Sequence, residues 1–128
     1  MVLDPKNVDI QLSLGDLYMA QGDLDKAIKT YCDAISVEPE NYLTYAKTGL
    51  ALWEKDYLEE AIVAFHKSIE LNPEFEIAQN NLGVVYLDGI GDPKESIEYF
   101  KNAININPNY TLAYFNLGRA YQATGDKA

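Results

Sequence analysis

An all-α solenoid of stacked antiparallel helix pairs is the fold this sequence predicts, and three observations predict it. Prolines recur at 5, 39, 73 and 108, and glycines recur in a fixed register with them at 15, 49, 83 and 118. Both series step by 34, 34 and 35 residues. Within each period two apolar stripes at helical spacing are split by a short polar turn. Further phases keep the same register: Tyr18, Leu52, Tyr86 and Tyr121; Ala27, Ala61 and Ser96; Tyr31, Phe65 and Phe100; Ala34, Ser68 and Ala103. Coincidence does not produce so many agreeing phases.

The helices follow in order. The first pair is expected at 8–21 and 24–37, split by Gly22-Asp23, and the second at 42–54 and 58–71, split by Lys55-Asp56. The third pair is expected at 76–88 and 93–106, split by Gly89-Ile90-Gly91-Asp92, and a seventh helix at 111–124. Pro39, Pro73 and Pro108 mark the unit boundaries, because proline cannot continue a helix and pushes its predecessor out of helical geometry. Asp92-Pro93-x-Glu95 is a helix start: Asp caps, Pro occupies the first helical position, and Glu95 can bond back as in a capping box. This third unit holds the extra residue of the 35-residue step, which reads as an insertion in its turn.

Each recurring phase has a packing role. The small residues Gly15, Gly49, Gly83 and Gly118 let a partner helix approach closely, and Ala27, Ala34 and Ala61 do the same from the other side. Tyr31, Phe65 and Phe100 fill the wedge between neighbouring units. The organisation is then one array of about three and a half units and seven helices, wound as a right-handed superhelix. Its units span 8–41, 42–75, 76–110 and a partial 111–128, with residues 1–7 as the tail of a preceding unit.

Leu14-Gly15-x-x-Tyr18, Leu82-Gly83-x-x-Tyr86 and Leu117-Gly118-x-x-Tyr121, followed by the Ala/Ser-x-x-x-Tyr/Phe pairs and the boundary prolines, resemble the tetratricopeptide repeat family. Thr48-Gly49-x-x-Leu52 departs from the signature twice, and the family's leading Trp is replaced by Gln11, Tyr45, Gln79 and Tyr114. The resemblance covers nearly the whole chain. It implies protein or peptide binding on a concave groove lined by the first helices, no catalysis, and no cofactor.

Composition narrows the partners. Twenty acidic against ten basic residues give a formal net charge of −10. Nucleic acids and anionic membrane surfaces demand clustered Lys and Arg, which are absent here. No stretch approaches the ~20 apolar residues of a membrane helix, and the N-terminus lacks a signal-peptide form, so a cytoplasmic location is the default expectation. Cys32 and His66 are single residues of their kind, expected on adjacent outer ridges, too far apart for a catalytic dyad. No Cys/His spacing suits zinc. The acids Glu59, Glu60, Asp23 and Asp25 fall at second-helix N-termini, where the helix dipole favours them.

The groove residues are expected in the phases not used for packing. One phase reads Ser13, Lys47, Asn81 and Asn116, so Asn81 and Asn116 are expected as neighbours, with Asn80 beside them. An Asn amide donates and accepts at once, matching the N–H and C=O of an extended peptide. The pair resembles a short form of the asparagine ladder in the repeat domain of O-linked N-acetylglucosamine transferases. Met19, Leu43, Leu50, Trp53, Val84, Leu87 and Phe115 supply an apolar lining, with Lys47 and Arg119 as its cations. Trp53 serves either as a contact anchor or as an internal wedge. The family's carboxylate clamp does not transfer: Leu12, Asp16, Ile77 and Asn81 stand where its Lys, Asn, Lys and Arg belong. Two other functions fit the same residues: a targeting module of a larger enzyme such as a glycosyltransferase, or a self-assembling spacer. The ends read as cut from a longer array, which predicts self-association through exposed end faces.

Overall fold

The computed structural model describes residues 7–125 as an all-helical stack. Its elements are α1 (Val8–Ala20), α2 (Leu24–Val37), α3 (Tyr42–Glu54), α4 (Leu58–Leu71), α5 (Glu76–Val84), a π-helical segment (Val85–Ile90) continuing α5, α6 (Pro93–Ile106) and α7 (Thr111–Thr124). There is no strand among the described residues. Consecutive helices pack on one another, and α3 also touches α5, so the first helices of successive units share a face. The expected tail at residues 1–7 and the last residues of the fourth unit lie almost wholly outside the described residues.

The packing phases meet as their chemistry requires. A β-carbon placed on Gly15, Gly49 or Gly83 would stand 2.3, 2.8 or 2.5 Å from Cε1 of Tyr31, Phe65 or Phe100 respectively. Each glycine is therefore the floor of a notch that one aromatic ring of the second helix fills. Those rings are 0–1% exposed, and the small residues one turn either side of them are 0% exposed. Ser68 adds a link between the two helices of the second unit by donating its hydroxyl to the Tyr42 carbonyl at 2.9 Å.

The turns inside each unit share one device. Gly22, Asp56 and Gly91 close the first helix in the left-handed region, at φ 77°, 68° and 81°. The following N–H groups of Asp23, Tyr57 and Asp92 then reach back to Tyr18, Leu52 and Tyr86 carbonyls. Asp56 alone does this with a β-carbon. Asn7, Asp23, Asn41 and Asp92 cap the next helix with a side-chain oxygen.

Two expectations about the third unit are corrected. Its additional residue does not lengthen the turn; it is absorbed in the helix, which widens into a π segment and runs to Ile90. Gly89 and Ile90 thus belong to the helix, not to a loop. The wider turn presses Gly89 onto the indole of Trp53, where a β-carbon would lie 2.7 Å from Cζ3. The capping box is half made. Asp92 caps Glu95 N–H at 3.2 Å, but the Asp92 N–H is taken by the Tyr86 carbonyl at 2.8 Å. The Glu95 carboxylate accepts from the Tyr99 hydroxyl instead.

Candidate peptide-binding groove

On a helix, residues at i, i+4, i+7 and i+11 share one face. The face of each first helix turned away from its glycine notch therefore holds Leu43, Lys47, Leu50 and Glu54 on α3. On α5 and its π-helical continuation it holds Ile77, Asn81, Val84 and Asp88, and on α7 Leu112, Asn116 and Arg119. Hydrogen bonds between successive first helices join these faces into one surface. Lys47 Nζ donates to both oxygens of Asp16, at 3.0 and 2.9 Å. Arg119 Nη2 donates to Asp88 at 2.6 Å, and its Nη1 to Asn116 Oδ1 at 3.3 Å. Both cations expected on this face are thus tied to neighbouring carboxylates, and their charge is neutralised locally.

Asn116 donates its amide to Asn80 Oδ1 at 3.1 Å. Asn80 and Asn116 are 1% and 4% exposed, so this pair is a buried polar link between two units. Asn81 is half-buried and makes no side-chain hydrogen bond among the described residues. The reason is a stagger: side chains of one first helix bond positions on the preceding one that are offset from their own phase. Lys47 accordingly meets Asp16, and Asn116 meets Asn80, neither meeting its own phase.

The apolar candidates divide by exposure. Trp53 packs into the cluster of Ala61, Phe65, Leu82 and Val85. Val84 and Leu87 pack against Ile97, Phe100 and Ala120, and Met19 lies against the first-unit core. Leu50 and Phe115 remain 38% and 65% exposed. A stripe of which only Leu43 was in the expected lining accompanies them: Leu43, Ile77 and Leu112 hold the same phase of three successive units and are 38%, 41% and 50% exposed. The signal was their common 34- and 35-residue spacing, which for Ile77 had served only to exclude a clamp.

Electrostatics centre on Asp16. Besides Lys47 it accepts from the Tyr31 hydroxyl at 2.6 Å. Burial, and then the hydrogen bond and charge of Asp16, hold the Tyr31 phenol well above its ordinary pKa. Burial also raises Tyr99, to about 12, and Tyr110. Cys32 is exposed, and His66 lies edge-on to the Tyr99 ring. No group of three or more Cys, His or acidic residues among the described residues could hold a metal ion. No helix of the described residues is long and apolar enough to cross a membrane.

With this geometry in place, comparison with known proteins is decisive for the family. A TPR repeat model matches residues 15–56 and 90–125, and a tetratricopeptide repeat model matches 43–75. The chain belongs to the tetratricopeptide repeat family. Among curated relatives, the peroxisomal targeting signal receptor of Eremothecium gossypii is 38% identical over 90 residues, which are 70% of this chain and 16% of the receptor. The receptor of Saccharomyces cerevisiae is 37% identical over 94 residues, 73% of this chain and 15% of that protein. The chain thus spans about a sixth of these relatives' length. Among solved structures, MamA superposes with a TM-score of 0.86 at 33% identity, over 95% of this chain and 71% of MamA. The first TPR domain of Spaghetti, solved with an Hsp90 peptide, gives 0.88 at 19% identity over 97% and 98% of the two chains, a likeness of fold. Tetratricopeptide repeats are protein-interaction modules, and this chain is one of them.

Proposed function

We propose that the shared face of α1, α3, α5 and α7 is a concave groove that binds an extended or helical segment of a partner protein, without catalysis or cofactor. The observation that carries this reading is the exposed Leu43–Ile77–Leu112 stripe. Three large apolar side chains on one face, one per unit, give a row of shallow sites for hydrophobic anchors of a bound segment. Leu50, Val84, Leu87 and Phe115 extend the apolar lining. Asn81, free of side-chain hydrogen bonds among the described residues, offers an amide to the partner's backbone. Asn80, Asn116, Lys47 and Arg119 set the spacing of the helices and are spoken for by one another and by Asp16 and Asp88. Trp53 acts from beneath, by holding α3 against the π segment.

The relatives support a peptide ligand in kind: one is named as a receptor for a targeting signal, and a neighbour in fold was solved with a bound peptide. Selecting random peptides displayed on phage against the chain tests the proposal. Selected peptides should share spaced hydrophobic residues and lose at least about tenfold in affinity, ~1.4 kcal/mol, for an Ile77→Asp variant that stays folded. Failure to select any peptide, or selection of peptides indifferent to Ile77→Asp, removes the groove from consideration.

A further inference from the structure

Charge divides unevenly on the groove face. Its cations, Lys47 and Arg119, are each committed to a carboxylate one unit earlier in the stack. Lys47 donates to both oxygens of Asp16, and Arg119 donates to Asp88 and to Asn116. The first helices carry no other Lys or Arg among the described residues. A ligand carboxylate, at a chain end or on a side chain, would have to displace Asp16 or Asp88 from its partner. The displaced acid would then stand against the newcomer, like charge beside like.

Acids on the same face remain unmatched. Asp9 lies in the row of Leu43, Ile77 and Leu112, and Glu54 in the row of Asp88, each at the 34-residue step. Both are exposed, and neither forms an ion pair among the described residues. The carboxylates of Asp9, Asp16, Glu54 and Asp88 thus outnumber the cations of Lys47 and Arg119, in a chain of net charge −10. Glu54 and Asp88 stand one turn beyond Leu50 and Val84. A segment lying over Leu50 and Val84 therefore has the Leu43–Ile77–Leu112 row on one flank and carboxylates on the other.

We infer that the groove selects a net-basic internal segment of a partner protein and rejects acidic segments and free C-terminal carboxylates. The inference rests on the proposed groove and adds the charge of its occupant. Spaced apolar side chains seat on Leu43, Ile77 and Leu112, and Lys or Arg side chains pair with Glu54 and Asp9. Exposed pairs of this kind add little affinity each, so the charge acts chiefly by discriminating between segments that share the same apolar anchors.

The probes are fluorescein-labelled peptides from the phage selection above, carried out at about 0.15 M salt, where only nearby charges attract. Selection should enrich Lys and Arg over the unselected library. Each peptide is made as selected, with its Lys and Arg replaced by Gln, and with them replaced by Glu. Fluorescence anisotropy with the 128-residue chain should show the Glu form at least about tenfold weaker than the selected one. Asp9→Asn combined with Glu54→Gln should weaken the selected form by about threefold to tenfold and leave the Gln form unchanged. Ile77→Ser, which removes an anchor without adding a charge, should weaken every form. Peptides that depend on Ile77 yet carry no excess of Lys and Arg overturn the inference while the groove stands. So does tighter binding of a selected peptide with a free carboxyl end than with an amidated one. Basic peptides indifferent to Ile77→Ser overturn it as well, by showing only a general attraction to an acidic chain. A selection that yields no peptide ends the groove reading itself, and this inference with it.

Discussion

The Tyr31 hydroxyl donates to Asp16 at 2.6 Å, joining the second helix of the first unit to a carboxylate that also receives Lys47 of the next unit. A buried phenol in that position resists ionisation. Its raised pKa means the folded state keeps a proton that the unfolded chain releases near pH 10, the ordinary value. The contribution is whole below pH 10 and is lost as pH rises above it. The thermal midpoint should hold steady up to about pH 9 and fall beyond it. Tyr31→Phe should flatten that alkaline slope while lowering the midpoint at neutral pH, since the Asp16 bond is gone. Calorimetric scans at several pH values check both, and an unchanged slope would show that Tyr31 is not the group responsible.

The glycine notches predict opposite outcomes for one substitution at two places. Gly49→Ala or Gly83→Ala forces a methyl group into a buried ring and should destabilise the stack by about 1–3 kcal/mol. Gly118→Ala meets open space within a helix and should stabilise by about 0.5–1 kcal/mol, the propensity difference alone. Urea denaturation of the three variants reads the contrast directly.

Most of the fold was legible in the sequence because packing residues repeat, and repetition carries information that a single helix lacks. Gly15 with Tyr31, Gly49 with Phe65 and Gly83 with Phe100 are pairs that can be read from spacing, and all seven helices follow from them. The π segment was not legible. An additional residue can enter a turn or widen a helix, and Gly89 and Gly91 look like turn residues until Trp53 is seen packed on one of them. The groove was only partly legible. Phase tells which residues share a face, but the stagger between first helices decides which of them touch, and it pairs Asn116 with Asn80 while leaving Asn81 unbonded. Asp16 and Asp88 went unnoticed as partners for Lys47 and Arg119 for the same reason.

Two residues depart from what their repeat position favours. Asp56 adopts φ 68° where Gly22 and Gly91 stand in the equivalent turns, so Asp56→Gly should relieve backbone strain and stabilise by about 0.5–1 kcal/mol. Thr44 is 0% exposed and its hydroxyl has no hydrogen-bond partner among the described residues, where Ala78 and Ala113 hold the same phase. Thr44→Ala should be neutral or raise the thermal midpoint, because the change removes a buried unsatisfied oxygen. A drop of several degrees in either variant would contradict these assignments.

Site-specific photo-crosslinking tests the groove most directly. A benzophenone side chain is placed either at Ile77, on the first-helix face, or at Val63, 68% exposed on a second helix. Irradiation with a phage-selected peptide should yield a covalent adduct from position 77 and none from position 63. Adducts from Val63 alone would put the partner on the outer surface and contradict the account.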